Sequence, residues 1–194
     1  MELGLLEPRP FKTEEVGQTS FKLMSNIIRK YITVHPSIQQ QARERRARLQ
    51  APVAIGFHIR KGDRRSDFKE TRNFLRDNDV WSFVQCGIVK KHAHAVLYVA
   101  SDSAEAKKTV EKASMNRVVT SSTIARHSNA AMRRDKNVDI LTDAFVDLLT
   151  VASCDYVVGT WKSSFSVVAG AFHGKMPYFV KPWSRCEIPV SLGY

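Results

Sequence analysis

Short apolar runs alternate along this chain with longer amphipathic segments. The apolar runs cover residues 53–59, 95–100, 117–120, 156–158 and 176–180. Apolar positions at helical spacing cover residues 13–35, 37–49, 80–92, 103–113, 138–152 and 163–172. Strands that alternate with helices indicate βαβ units. The pattern therefore predicts an α/β fold in which a parallel sheet carries helices on both faces.

Length and charge narrow the possible partners. The 194 residues are most simply one domain, with residues 51–194 as the α/β unit and residues 1–50 as a helical lead-in. Lys and Arg number 30 against 19 Asp and Glu, which gives a net charge of +11. This excess favours an acidic partner, such as a nucleotide, a nucleic acid or an anionic surface.

Cysteine spacing and hydropathy give little further information about the function or the location of the protein. Cys86, Cys154 and Cys186 are widely spread and predict neither a zinc site nor a disulfide framework. Cys154 stands among apolar residues and is expected to be buried. No run approaches the ~20 apolar residues that span a bilayer, and the first residues lack a signal-peptide pattern. The expectation is a cytosolic protein or part of a longer one.

The first apolar run ends abruptly in charged residues. His58, Arg60, Lys61 and Asp63 follow one another at the carboxyl end of the predicted strand. Ligands of open α/β sheets bind at the carboxyl ends of the strands. Two cations at such a position favour an anion, and a diphosphate suits them best.

The second apolar run ends in Ser101-Asp102-Ser103. A carboxylate at this position can accept hydrogen bonds from a ribose or a base edge, as in other doubly wound nucleotide sites. A serine before a helix is also an ordinary N-cap, and Ser103 is the expected cap here. Taken alone, this strand end does not show whether its polar residues bind a ligand or cap the next helix.

The fourth apolar run leads through Gly159 into the hydroxyls of Thr160, Ser163 and Ser164. The amides and dipole of a helix N-terminus, with these hydroxyls, make a phosphate cradle. Capping by Thr160 and Ser163 is the alternative at this site too. However, three strand ends carry groups that suit a single nucleoside diphosphate. If each strand end only capped a helix, this agreement would be a coincidence.

These motifs resemble those of the GDP-fucose-dependent fucosyltransferases of the α1,2, α1,6 and protein O-linked types, which include the nodulation enzyme. The first motif, a strand that ends in His-x-Arg, matches His58 and Arg60. The second, Ser/Thr-Asp, matches Asp102. The third runs from Asp147 through a helix and a strand to Thr160-Trp161 and the pair Ser163-Ser164. The resemblance covers roughly residues 50–180.

The resemblance implies a Rossmann-like domain, the C-terminal donor-binding half of a GT-B glycosyltransferase. It implies transfer of L-fucose from GDP-fucose to a glycan or glycoprotein, with inversion and without a metal ion or cofactor. Arg60 would act in catalysis, and Asp67 or Glu70 would take the acceptor's proton. His58, Asp102 and Asp147 would lie on the nucleoside side. The implied donor-binding residues are His58, Arg60, Lys61, Asp63, Asp102, Asp147, Thr160, Ser163, Ser164 and Phe165.

Two departures from the family keep other functions open. Lys61 stands where many relatives carry a second arginine, and it lacks the planar fork of that residue. The acceptor-binding half is expected to be missing, so a non-catalytic GDP-sugar-binding remnant is the first alternative. The second is a basic nucleic-acid-binding α/β domain, because residues 43–48 hold four arginines. The run has no interleaved aromatic residues, so a solvated helix face, or a surface toward the missing half, is its default interpretation. The resemblance also implies the Golgi or endoplasmic reticulum lumen, with membrane attachment only through an anchor outside this chain.

Overall fold

The computed structural model describes residues 13–61, 77–114, 117–120, 138–161, 163–180 and 186–187. In chain order its elements are α1 (Thr13–Tyr31), α2 (Pro36–Ala47), β1 (Ala54–Ile59), α3 (Asp77–Val84), α4 (Gly87–Lys91), β2 (Val96–Ser101), α5 (Ala104–Ala113), β3 (Val118–Thr120), α6 (Val138–Ala152), β4 (Tyr156–Thr160), α7 (Ser164–His173), β5 (Tyr178–Val180) and β6 (Cys186–Glu187). Within these ranges, none of the helices combines the length and the apolar character that crossing a membrane requires.

The strands form one sheet in the order β3-β2-β1-β4-β5-β6. The first five strands of this order are parallel, and β6 joins β5 antiparallel. The predicted α/β fold with its parallel sheet is confirmed. From β1 the chain adds β2 and β3 on one side of the sheet and then β4 and β5 on the other side. Because β2, β1 and β4 are parallel neighbours, their carboxyl ends lie side by side.

Helices cover both faces of the sheet. Ile55, Phe57 and Ile59 of β1 point into a core shared with α3, α4 and α5. Ala54 of β1 and Tyr98 of β2 point to the opposite face, which α6 and α7 cover. The two helices before β1 join this second layer, α2 against α6 and α1 against α7. Because β1 is buried along its whole length, it needs apolar residues on both faces.

The structure differs from the sequence pattern most clearly in three places. The helix predicted over residues 80–92 is two helices, because Cys86 has an extended backbone (φ −56°, ψ 135°) and interrupts the turn. Strand β4 continues to Thr160, since Gly159 and Thr160 pair with Phe179 and Val180 of β5. Strand β6 is too short to show in a hydropathy pattern.

The described cysteines differ in state. Cys86 is disulfide-bonded, which the wide spacing of the cysteines in the sequence did not indicate. Separation along the sequence does not limit how closely two cysteines lie in a fold, and only spatial geometry does. Cys154 is a free thiol, buried as predicted, and this burial raises its pKa to about 12.

Candidate functional site

The carboxyl ends of β2, β1 and β4 meet at one edge of the sheet. His58 of β1 lies between Ala100 of β2 and Gly159 of β4 in the strand register. Arg60 therefore leaves β1 with Asp102 on one side and the end of β4 on the other. The structure brings together the three strand ends that the sequence singled out.

Thr160 links the end of β4 to β1. Its hydroxyl accepts a hydrogen bond from the Arg60 backbone N–H (2.9 Å) and donates one to the His58 carbonyl (3.1 Å). Both bonds go to β1, so the main effect of Thr160 is to fix the backbone from which the Arg60 side chain departs. This role differs from the phosphate contact that the sequence suggested for Thr160.

Asp102 fixes the other side of the same segment. Its Oδ1 accepts a hydrogen bond from the Lys61 backbone N–H (2.9 Å). The Lys61 ammonium pairs with Glu105 Oε2 of α5 at 3.4 Å. The Ser101 hydroxyl donates to the Ile59 carbonyl (2.7 Å), which ties β2 to β1. The Lys61 charge is thus drawn toward α5, on the β2 side of the site.

Arg60 carries an unsatisfied donor. Among the residues that the structure describes, Arg60 Nε and His92 Nε2 are the two buried side-chain polar atoms without a hydrogen-bond partner. His92 precedes β2, at the amino edge of the sheet, whereas Arg60 follows β1 at the carboxyl edge. A buried donor without an acceptor costs about 1–3 kcal/mol. Such a group at a ligand-binding edge is typical of a site that a ligand's acceptor completes.

The N-terminus of α7 is not capped by its own serine. Ser163 occupies the N-cap position, yet its side chain makes no capping hydrogen bond, and its Oγ lies 3.4 Å from His58 Nδ1. In contrast, the Ser103 hydroxyl accepts a bond from the Ala106 N–H (3.2 Å), the cap that the sequence predicted. Capping by Ser163 is therefore ruled out, and the first-turn amides of α7 keep their capacity to bind an anion.

His58 joins β1 to the beginning of α7. Its Nδ1 lies 2.8 Å from Ser166 Oγ, and its ring stacks on Phe165 with centroids 4.1 Å apart. Gly159 makes this approach possible, because a Cβ at that position would come within 2.3 Å of Ser166 Oγ. The sequence did not identify Ser166, although it is the third serine of the cluster that begins at Ser163. These contacts hold the first turn of α7 close to the end of β1.

Asp147 lies in a separate buried cluster beneath α2. Its Oδ1 accepts hydrogen bonds from the Tyr98 hydroxyl (2.6 Å) and from Arg45 Nη1, and Arg45 Nη2 pairs with Asp143 (2.9 Å). Burial raises the pKa of Tyr98, and the adjacent Asp147 carboxylate adds to the effect. Burial also lowers the pKa of the nearby Lys107. The Asp147 carboxylate acts to raise this pKa, and the Arg45 cation acts to lower it further.

The sequence missed Arg45 and Tyr98 as members of this cluster. Asp143 and Asp147 stand four residues apart and so share one face of a helix. Arg45 belongs to the basic run that the sequence placed on a solvated helix. Together these two features are the signal that could have indicated an ion pair between the helices.

Some predicted site residues cannot be placed. Asp63, Asp67 and Glu70 lie outside the described residues. Ser164 is exposed as the first residue of α7, and Phe165 lies against His58.

Comparisons with known proteins identify a fold. No protein-family model matches the chain, and neither does any curated protein. Among solved structures, POFUT1 in complex with GDP matches with a TM-score of 0.51 and 15% identity, over 90% of this chain and 52% of that one. POFUT1 in complex with GDP-fucose gives 0.52 and 15%, over 94% and 52%. The apo form of POFUT1 gives 0.50 and 16%, over 90% and 50%.

POFUT1 is a GDP-fucose protein O-fucosyltransferase. At this identity the likeness establishes a shared fold, in agreement with the architecture that the motifs imply. The chain spans about half the length of these solved structures.

Proposed function

We propose that this chain is the donor-binding half of a GDP-fucose-dependent glycosyltransferase. It grips the donor's diphosphate between Arg60 and the first turn of α7. The observation that carries the proposal is the buried, unpaired Nε of Arg60 at the carboxyl end of β1, beside a helix N-terminus without a side-chain cap. The fold shared with POFUT1, which has been solved with GDP-fucose, supports the choice of nucleotide sugar.

Arg60 and the first turn of α7 would contact the diphosphate in different ways. The guanidinium of Arg60 offers a planar fork that suits two phosphate oxygens at once. The amides of Ser164 and Phe165 add N–H donors at the positive end of the α7 dipole. Lys61 contributes a point charge, which its ion pair with Glu105 partly neutralises.

The proposed reaction is a direct displacement at the anomeric carbon of fucose. The acceptor hydroxyl oxygen forms a bond to that carbon while the bond to the β-phosphate oxygen breaks, so the configuration inverts. Negative charge grows on the departing GDP, where Arg60 and the α7 amides stabilise it. The acceptor's proton passes to a carboxylate, for which Asp67 and Glu70 are the candidates. Here the positive charge comes from the protein, and no metal ion is required.

The disulfide at Cys86 gives information about the cellular compartment of the protein. Disulfides persist in oxidising environments and are rare in the cytosol. A disulfide-bonded Cys86 therefore supports a protein of the secretory pathway, such as the endoplasmic reticulum or Golgi lumen. A glycan or glycoprotein acceptor would be available there.

Calorimetry with GDP and GMP tests the diphosphate grip. The unmodified chain is expected to bind GDP at least ~10-fold more tightly than GMP, since one charge-assisted hydrogen bond contributes about 1.5–3 kcal/mol. Equal affinities would refute a diphosphate site. Salt-sensitive binding of generic RNA, without GDP binding, would instead favour the nucleic-acid alternative.

Turnover separates a transferase from a non-catalytic binder. We expect the full-length protein to release GDP from GDP-fucose when a pool of acceptor glycans is present, and Arg60→Ala to abolish the release. GDP binding without any release by the full-length protein would establish the binding remnant instead. The residues of the grip would be the same in both cases.

A further inference from the structure

Ser166 is a buried serine whose hydroxyl is directed at His58. It is the third residue of α7, and none of its surface is exposed. Its Oγ lies 2.8 Å from His58 Nδ1. Among the residues that the structure describes, His58 is the one hydrogen-bonding partner of this hydroxyl. A buried hydroxyl with a single partner depends on that partner for its only hydrogen bond.

Strand β4 leaves room for this hydroxyl at one position. Gly159 stands next to His58 in the register of β1 and β4. A Cβ at residue 159 would overlap both the Cβ and the Oγ of Ser166. Gly159 and Ser166 are therefore a matched pair, because only the absence of a side chain on the strand lets the serine reach His58.

The direction of the hydrogen bond follows from the donors and acceptors present. A serine hydroxyl has one donor, and a neutral imidazole has one nitrogen that donates and one that accepts. A proton on Nδ1 would leave the Ser166 O–H buried without an acceptor, which is unfavourable. Ser163 Oγ approaches the same nitrogen at 3.4 Å, so two hydroxyls face Nδ1. Nδ1 therefore accepts the Ser166 proton, and the ring proton of His58 lies on Nε2.

The oriented ring lies beside both parts of the proposed diphosphate site. His58 precedes Arg60 by two residues on the same strand end. Its ring stacks on Phe165, whose backbone amide belongs to the first turn of α7. With its lone pair engaged at Nδ1, the ring offers a nucleotide a donor and no acceptor. This state suits an oxygen of the nucleotide, and it leaves the role of catalytic base to a carboxylate.

We propose that Ser166 is a positioning residue for nucleotide binding, which holds the His58 ring as an Nε2–H donor toward an oxygen of the nucleotide. Ser166 touches no ligand in this arrangement and acts through His58. The inference rests on the proposed function, because it assumes a nucleotide at the strand end that carries Arg60.

The ¹⁵N signals of the histidine side chains in the unliganded chain test the tautomer. We expect a pyridine-type signal for His58 Nδ1 and a pyrrole-type signal for His58 Nε2. The His58→Ala variant identifies the two signals by their loss. A protonated Nδ1 would overturn the proposal, and this result does not depend on whether a nucleotide binds.

Calorimetry with GDP tests whether Ser166 acts through His58. Ser166→Ala is expected to weaken GDP binding by about 2- to 12-fold, the range for one hydrogen bond, and His58→Ala at least as much. The double variant should bind GDP no more weakly than His58→Ala, because the two residues act as one unit. Thermal unfolding checks that each variant is folded.

Ser25→Ala is the matched control for Ser166→Ala. Ser25 is also a buried serine, and its hydroxyl donates to the Ala171 carbonyl of α7 (2.8 Å). Its removal should leave the GDP affinity unchanged. An equal loss in Ser25→Ala, or losses that add in the double variant, would show a general loosening of α7 and refute the positioning role. Equal binding of GDP and GMP by the unmodified chain would overturn the proposed function, whereas a protonated Nδ1 would overturn the role of Ser166 alone.

Discussion

Arg60→Ala is expected to weaken GDP binding by roughly 10- to 150-fold while GMP binding changes little. The lost group is one charge-assisted hydrogen bond or more to the second phosphate, at about 1.5–3 kcal/mol each. Arg60 Nε is buried without a partner, so this donor gives up no hydrogen bond within the protein when a phosphate binds. Calorimetry with both nucleotides measures the effect. The GDP affinity of Arg60→Lys should fall between that of the unmodified chain and that of Arg60→Ala, because lysine keeps the charge without the fork.

Two control variants show whether the effect of Arg60→Ala is specific to that residue. Lys61→Ala removes the adjacent cation, whose ammonium pairs with Glu105. We expect it to cost less than about fivefold in GDP affinity, because the ion pair with Glu105 already offsets part of its charge. Arg43→Ala removes an exposed arginine and should leave binding unchanged. If all three variants lost affinity equally, general attraction by the net charge of +11 would explain binding, and the Arg60 clamp would not.

Gly56→Ala is expected to destabilise the fold by about 1–3 kcal/mol. A Cβ at residue 56 would stand 2.8 Å from the carbonyl oxygen of Val151 and 2.9 Å from its Cα. Both are backbone atoms of α6, so no side-chain rotation relieves the contact. Either α6 shifts away from β1 or the strand bends. The midpoint of denaturant-induced unfolding measures the loss.

Gly87→Ala is the matched control for this substitution. A Cβ there meets nothing within 4 Å, and alanine favours a helix more than glycine does. Its unfolding midpoint should equal or exceed that of the unmodified chain. A Gly56→Ala protein as stable as Gly87→Ala would show that α6 does not pack on β1 as closely as described.

The strand ends could be predicted because their signal is local. The run from residue 53 to residue 59 is apolar at every position, which is typical of a strand buried on both faces. Parallel strands place their carboxyl ends at one edge, so Arg60, Asp102 and Ser163 were expected to lie near one another. The distinction between binding and capping was not available from sequence. It depended on where the Ser163 hydroxyl points, which its contact with His58 decides.

The cluster around Asp147 could not be predicted in the same way. Arg45 and Asp147 are separated by 102 residues, and Tyr98 lies between them in sequence. The spacing of Asp143 and Asp147 and the basic run of α2 are compatible with an ion pair, but neither shows that α2 folds back over α6. The basic run of α2 therefore gave the appearance of a solvated helix face. Only the packed structure shows that one of its arginines is held by two carboxylates.

The most direct test of the account is a crystal structure of this chain with GDP. We predict that the diphosphate lies between the Arg60 guanidinium and the backbone amides of Ser164 and Phe165, within hydrogen-bonding distance of both. A diphosphate bound elsewhere on the chain, or one that contacts α7 while Arg60 points away from it, would contradict the account.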